Sequence, residues 1–220
     1  MRAEARRGAT RAVVFDMDGV LIDSGAHHRE AWRAMLTDVG VVPPVEFWRL
    51  TIGRPSEEAV ELLLGRRLPD GEALRLARLK RDHYVRLVRR GLVPIAGAPQ
   101  FLAALARGDV PRAIGTSASR YDTERLLSDL DLRRHFEVIV TADDVRRGKP
   151  DPEVYLQAAE ALEVRPAACV VFEDSVVGIH AARAAGMRAI GVTTAHSAAE
   201  LTAAGAERAI ADFEGLRWPV

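Results

Sequence analysis

Lysine is almost missing from this chain. Of its 31 basic residues only Lys80 and Lys149 are lysines, and all the others are arginine. Cysteine occurs once, at Cys169, which excludes an intrachain disulfide and suits a reducing compartment. Net charge is absent too, because 31 basic residues balance 31 acidic ones. There is then no basic field to hold nucleic acid and no acidic excess to hold a basic partner. No apolar run approaches the roughly 20 residues that a membrane span needs. The arginine-bearing first ten residues are followed by no apolar segment, so they do not read as a secretory signal. These absences lead to the expectation of a cytoplasmic protein, a monomer or weak dimer, with neither nucleic acid nor membrane as a partner.

What is present is ordinary for a folded chain. Hydrophobic residues make up 48% and charged residues 28% of 220 positions, enough for one sizeable core and a modest accessory module. Residues 11–15 form a short valine-rich run of the kind that builds a buried parallel strand. From Ser24 the period becomes helical, with Trp32, Met35, Leu36 and Val39 on one stripe and Gly40 as a stop. Residues 56–64 and 72–90 also read as helices, the second with Leu74, Ala77, Tyr84 and Val88 on one face and Gly91 as its cap. No strand signal occurs between about residues 24 and 92.

After Pro94 the texture alternates. Helices are expected over 99–107, 121–130, 152–162 (capped by Asp151) and 176–185, and strands over 112–115, 137–140, 168–172 and 188–192. Ser197 and Glu200 form a capping box that opens one more helix. The pattern predicts an α/β fold: a Rossmann-like parallel sheet interrupted after its first strand by an all-helical insert. The core takes residues 11–23 and 93–217, the insert residues 24–92, and residues 1–10 read as a flexible tail.

Ligands of open parallel sheets bind beyond the carboxyl ends of the strands. Polar residues gather there: Asp16 and Asp18 after the first strand, then Thr116, Ser117 and Ser119. Further on come Gly148-Lys149-Pro150 and Glu173-Asp174-Ser175. Taken singly, each reads as a helix cap or a solvated turn. Converging on one rim, they pose an electrostatic problem. Two carboxylates about 4 Å apart repel by roughly 4 kcal/mol at an effective dielectric near 20. Protonation or a cation must relieve this, and oxygen ligands without a cysteine or histidine cluster suit Mg²⁺. Lys149 adds a compact positive charge, and a hydroxyl with loop amides can hold phosphate oxygens.

Four stretches carry a resemblance: Phe15-Asp-Met-Asp-Gly-Val-Leu-Ile-Asp23, the strand end at Thr116-Ser117, Gly148-Lys-Pro-Asp-Pro152, and Phe172-Glu-Asp-Ser-Val-Val-Gly178. In order and spacing they resemble the four motifs of the haloacid dehalogenase superfamily, and the insert is similar to its small helical cap. The resemblance implies a phosphate-transfer enzyme acting on a small phosphorylated metabolite. Asp16 would be the covalent nucleophile and Asp18 the acid and base. Mg²⁺ would lie on Asp16, Asp174 and the backbone carbonyl of Asp18, with Glu173 reaching it directly or through water. Ser117 or its neighbour Thr116, with Ala118, would hold the phosphoryl group, and Lys149 would balance its charge.

Within the superfamily, Asp18, Glu173 and Asp174 argue against a dehalogenase. Lys80, midway along its helix, is poorly placed for the Schiff-base lysine of a phosphonate-cleaving member. The serious rival is a β-phosphoglucomutase. His28 falls where the mutase has a histidine on its acid/base aspartate, and Ser117-Ala-Ser-Arg120 resembles its phosphate-side loop. The mutase's Gly-Val-Ser-Arg is replaced here by Gly53-Arg54-Pro55-Ser56, so the arginine clamp is displaced and hydrolysis is favoured. Gly53, Arg54, Arg120 and His28 are carried forward as substrate contacts, Trp32 as insert packing and Cys169 as a buried, inert thiol. A degenerate, non-catalytic binding protein would be expected to lose one of the acids, and none is lost.

Overall fold

A computed structural model describes residues 10–89 and 91–220. All but the last residue of the expected N-terminal tail lies outside them. The chain runs β1 (Ala12–Phe15), α1 (Gly25–Asp38), a 3-10 turn (Phe47–Leu50), α2 (Ser56–Leu64), α3 (Glu72–Val88), α4 (Ala98–Arg107) and β2 (Arg112–Gly115). It continues α5 (Arg120–Asp129), β3 (Val138–Val140), α6 (Glu153–Ala161), β4 (Cys169–Glu173), α7 (Val176–Ala184), β5 (Arg188–Val192), α8 (Ala198–Ala203) and β6 (Arg208–Ile210).

The six strands form one parallel sheet in the order β3-β2-β1-β4-β5-β6. Alternation along β1 explains its unbroken apolar run. Val13 and Phe15 point into a cluster with Phe101, Phe172 and Phe213, whereas Ala12 and Val14 join Tyr155 and Ile179 on the other face. Both faces are therefore covered, as parallel sheets require. Phe15 stacks on Phe172 of the neighbouring strand, with centroids 5.3 Å apart and planes 9° from parallel. Truncating either ring in such a core costs about 3–5 kcal/mol.

Between β1 and β2 the chain makes only helices and the 3-10 turn among the described residues, as expected. These helices have a core of their own, in which Trp32, Met35, Leu36, Phe47, Val60 and Leu76 pack together. Leu74 is a correction. Expected on the buried stripe of α3, it is 39% exposed. The other three residues of that stripe, Ala77, Tyr84 and Val88, are buried as expected, and Leu76 and Lys80 join them. Smaller corrections concern helix ends. Helix α3 stops at Val88, and Gly91 lies beyond its cap with φ +99. Pro152, not Asp151, is the N-cap residue of α6, although Asp151 still accepts the Glu153 amide at 3.1 Å. Strand β6, three residues at the sheet edge, carries too little pattern to be read from sequence.

Strand order decides where a site can form. From β1 the chain moves outward through β2 and β3, then crosses back to β4 on the other flank. The reversal leaves a crevice at the carboxyl ends of β1 and β4. Parallel register sets Phe15 beside Ile114 and Phe172, so the next residues, Asp16, Gly115 and Glu173, emerge side by side.

Candidate active site

Lys149 lies at the centre of the crevice and is 1% exposed. Its Nζ donates to Asp16 Oδ1 at 2.7 Å, Glu173 Oε1 at 2.7 Å and the Gly115 carbonyl at 3.0 Å. Those three bonds use all the hydrogens that an ammonium has. Burial works against its charge, but Asp16 and Glu173 outweigh it and hold the ammonium above its ordinary range.

The acids around it are under strain of the opposite kind. Burial pushes the Asp16 carboxyl up to about 7, against Lys149 and with help from the charges of Glu173 and Asp18. Asp174 is pushed well above the usual carboxylate range by burial and by Glu173 and Asp16. Oxygens of Asp16, Glu173 and Asp174 lie within 4.8 Å of one another, all three residues being buried. One lysine does not neutralise three such acids. A hard divalent cation with oxygen ligands fits the remainder, and Mg²⁺ suits this donor set. Gly19 makes room for the arrangement. A Cβ there would stand 1.9 Å from Asp174 Oδ2, and its φ is +75. Thr194 Oγ1 closes the other side, 2.6 Å from the Gly19 carbonyl and 3.2 Å from Asp174 Oδ2.

Asp18 faces a different environment. Its Oδ1 accepts from Ser24 Oγ at 2.6 Å and lies 3.1 Å from His28 Nε2. His28 Nδ1 lies 2.8 Å from Lys80 Nζ. An ammonium can only donate, so Nδ1 accepts and the proton sits on Nε2, directed at Asp18. The ring also stacks on Tyr84, centroids 4.2 Å apart. Burial and the Lys80 charge keep His28 below its usual pKa despite Asp18, which agrees with this neutral tautomer. Burial alone would raise Asp18, but His28, Ser24 and Lys80 together hold it low. Lys80 is itself depressed to about 8 by burial, with Asp18 and Asp122 opposing, and its ammonium lies 5.0 Å from the Trp32 ring centroid.

A cavity of about 540 Å³ joins these groups, lined by Asp16, Asp18 and Asp174 from the sheet and by His28, Lys80 and Arg54 from the helical insert. Thr116, Ser117 and Ala118 line it at the end of β2. The Ala118 amide donates to Thr116 Oγ1 at 3.1 Å, and Ser117 Oγ donates to the Gly53 carbonyl at 3.0 Å. At Gly53 the insert comes close to the turn that follows β4, since a Cβ there would meet Ser175 Oγ at 2.4 Å.

Most of the expected residues therefore meet at one place. Arg120 does not. Its guanidinium binds Asp144 at 2.5 Å and the Ile139 carbonyl at 3.0 Å, because α5 carries it to the side of the sheet away from the cavity. Arg54 reaches the cavity but is paired with Glu58 one helical turn on. Glu173 is fully buried and bonded to protein donors on both oxygens. Trp32 packs in the insert core as expected, and Cys169 is buried with its thiol pushed up to about 11 by burial.

Lys80 and Tyr155 escaped the sequence reading as site residues. A signal existed for Lys80: it interrupts an apolar helical stripe in a chain with only two lysines. Tyr155 gave none, being one more apolar-face aromatic on α6.

Known proteins of similar sequence share most of the length of this chain. A family model described as haloacid dehalogenase-like hydrolase matches residues 10–186. Validoxylamine A 7'-phosphate phosphatase of Streptomyces hygroscopicus subsp. limoneus is 36% identical over 95% of this chain and 97% of its own. Fructose-1-phosphate phosphatase YqaB of Escherichia coli is 34% identical over 82% and 95%. Beta-phosphoglucomutase of Bacillus subtilis is 30% identical over 83% of each.

Proposed function

Because the chain belongs to the haloacid dehalogenase-like hydrolase family, we propose that it is a Mg²⁺-dependent phosphatase that hydrolyses a small sugar phosphate through an aspartyl-phosphate on Asp16. The observation that carries this reading is the buried contact of Lys149 with Asp16 beside Asp174, behind a cavity that Asp16, Asp18 and Asp174 line.

Asp16 attacks phosphorus, a P–O bond forms to its carboxylate, and the ester P–O bond breaks. Asp18 gives a proton to the departing alcohol oxygen. It rests ionised, so that proton arrives with an ester entering as its monoanion. Water then attacks phosphorus, Asp18 takes its proton, the acyl-phosphate bond breaks to return Asp16, and phosphate leaves with that proton so that Asp18 is ionised again. His28, held by Lys80, keeps the Asp18 carboxylate directed at the cavity. Lys149 holds Asp16 in place and offsets charge, while Ser117, Thr116 and the Ala118 amide receive phosphoryl oxygens. Asp16, Asp174 and the Asp18 backbone carbonyl would hold Mg²⁺, which when bound supplies positive charge to the transferring group. Residues 24–92 serve as a cap over a core of residues 11–23 and 93–217, and their side chains choose the alcohol.

A second reading, phosphosugar mutase, is favoured by the 30% identity to a beta-phosphoglucomutase and by the His28–Asp18 contact. A panel of sugar phosphates, assayed with Mg²⁺ and with EDTA, separates the two. Phosphate release that EDTA abolishes and Mg²⁺ restores is expected. Efficient interconversion of glucose 1- and 6-phosphate in the presence of glucose 1,6-bisphosphate would make the mutase reading correct instead. Chelator-insensitive turnover would overturn the metal.

A further inference from the structure

A carboxylate offers about four lone-pair sites on its two oxygens. In Glu173 all four are taken by the protein. Oε1 accepts from Lys149 Nζ at 2.7 Å and from the Tyr155 hydroxyl at 2.9 Å. Oε2 accepts from the Ser175 amide at 2.9 Å and from Ser175 Oγ at 2.8 Å. Nothing in this set can be exchanged cheaply. The carboxylate is fully buried, and a Cβ on Gly178 at the start of α7 would stand 1.7 Å from its Oε1. Asp174, the next residue, differs in kind. Among the described residues its Oδ2 accepts a single hydrogen bond, from the hydroxyl of Thr194 at 3.2 Å, and the residue lines the cavity.

From this we infer that Glu173 is not a ligand of the cation but, with Tyr155, the seat of Lys149. Two adjacent acids at the end of β4 thus divide the work. Asp174 faces the metal and Glu173 faces the lysine. Tyr155 is the positioning residue that completes the seat. Its hydroxyl fills one of the two Oε1 sites, and its ring lies 4.8 Å from the Lys149 ammonium. It reaches there from α6, whose first turn follows the lysine-bearing loop by a few residues. The ring also packs on the end of β2, where a Cβ on Gly115 would approach it to 3.0 Å. Lysine, carboxylate and phenol are therefore held as one buried unit, and Lys149 meets Asp16 with its position fixed from behind.

The inference rests on the phosphatase reading, and its test is chosen to fail separately from it. Mg²⁺ binding is measured by calorimetry in the absence of substrate for the wild type, Glu173→Gln, Tyr155→Phe and Asp174→Asn, and turnover is measured for the same set. Asp174→Asn is expected to weaken Mg²⁺ binding at least tenfold, the usual order for a disturbed metal site. Glu173→Gln and Tyr155→Phe should bind Mg²⁺ within about threefold of the wild type while kcat falls, by about tenfold or more for Glu173→Gln and several-fold for Tyr155→Phe, at unchanged KM. If Glu173→Gln loses Mg²⁺ as Asp174→Asn does, Glu173 is a metal ligand and the inference is wrong. Should Glu173→Gln fail to fold, Tyr155→Phe decides. Wild-type kcat in that variant, or a loss of Mg²⁺ affinity in it, overturns the seat. A wild type that releases no phosphate from any sugar phosphate in the presence of Mg²⁺ would overturn the phosphatase reading itself.

Discussion

At the scale of single residues, the two lysines of this chain do different work because their neighbours differ. Lys149 is enclosed by carboxylates and stays charged. Lys80 is buried against Trp32, Tyr84 and the neutral imidazole of His28, and burial depresses it. A cation held without a carboxylate in contact is costly in a core, so removing it need not weaken the fold. What it secures is the tautomer of His28 and, through it, the orientation of Asp18. Lys80→Met is therefore expected to retain or raise thermal stability while kcat on a phosphate ester falls about 10- to 100-fold, part of what a well-placed acid and base contributes. Wild-type turnover in that variant would remove Lys80 and His28 from the mechanism. His28 could be anticipated from its place one helical turn after Ser24, whereas its partner comes from a helix that follows more than forty residues later.

At the scale of elements, the helical insert meets the core through Ala31, Tyr84 and Val88, which share the apolar cluster of Phe15 and Ile114, and through polar contacts around the cavity. Arg81 of α3 makes a two-pronged pair with Asp122 of α5, Nε to Oδ2 at 2.8 Å and Nη2 to Oδ1 at 3.2 Å. Arg49 of the 3-10 turn meets Glu200 of α8 at 2.6 Å on the other flank. Glu200 is already the acid of the Ser197 capping box, so that contact is anchored to the end of a helix. Asp122 is largely buried, and losing its partner costs more than losing a pair in open solvent. Arg81→Met should raise KM about 3- to 10-fold, leave kcat near the wild-type value, and remove part of the salt dependence of KM. If KM is unchanged in low salt, the pair plays no part in holding the insert over the site. None of these contacts could be read from sequence, because each joins surfaces of elements far apart in the chain. Periodicity did supply the elements. Strands β1, β2, β4 and β5 announce themselves as apolar runs, and Gly40, Pro152 and the Ser197 box mark helix boundaries. Strand β6 fails that test because three residues at an edge are half exposed and carry no run. Leu74 fails because it stands at the edge of a stripe whose Ala77, Tyr84 and Val88 are buried, and at the start of the helix burial takes Leu76 in its place.

At the scale of the whole molecule, one topological fact makes the site. The chain reverses direction across the sheet after β3, so the ends of β1, β2 and β4 adjoin and their polar residues share a crevice. That convergence was legible in the sequence, since motif residues sat at strand ends in the expected order. Arg120 shows its limit. Sequence placed it one step past a loop that does line the cavity, but the start of α5 turns its side chain toward Asp144. The seat of Lys149 was hidden for a related reason, because Tyr155 approaches from a helix whose buried face looks like ordinary core. All of the chemistry depends on Asp16 taking the phosphoryl group itself. The direct measurement is acid quench of the enzyme during turnover of p-nitrophenyl phosphate, whose phenolate leaves without a proton from Asp18, with peptide mapping by mass spectrometry, on the wild type and on Asp18→Asn, in which water cannot be activated. One added phosphoryl group on the peptide containing Asp16, accumulating in Asp18→Asn and absent from Asp16→Asn, is the predicted result. Turnover without any such adduct, or an Asp16→Asn variant that hydrolyses the substrate as fast as the wild type, would contradict it.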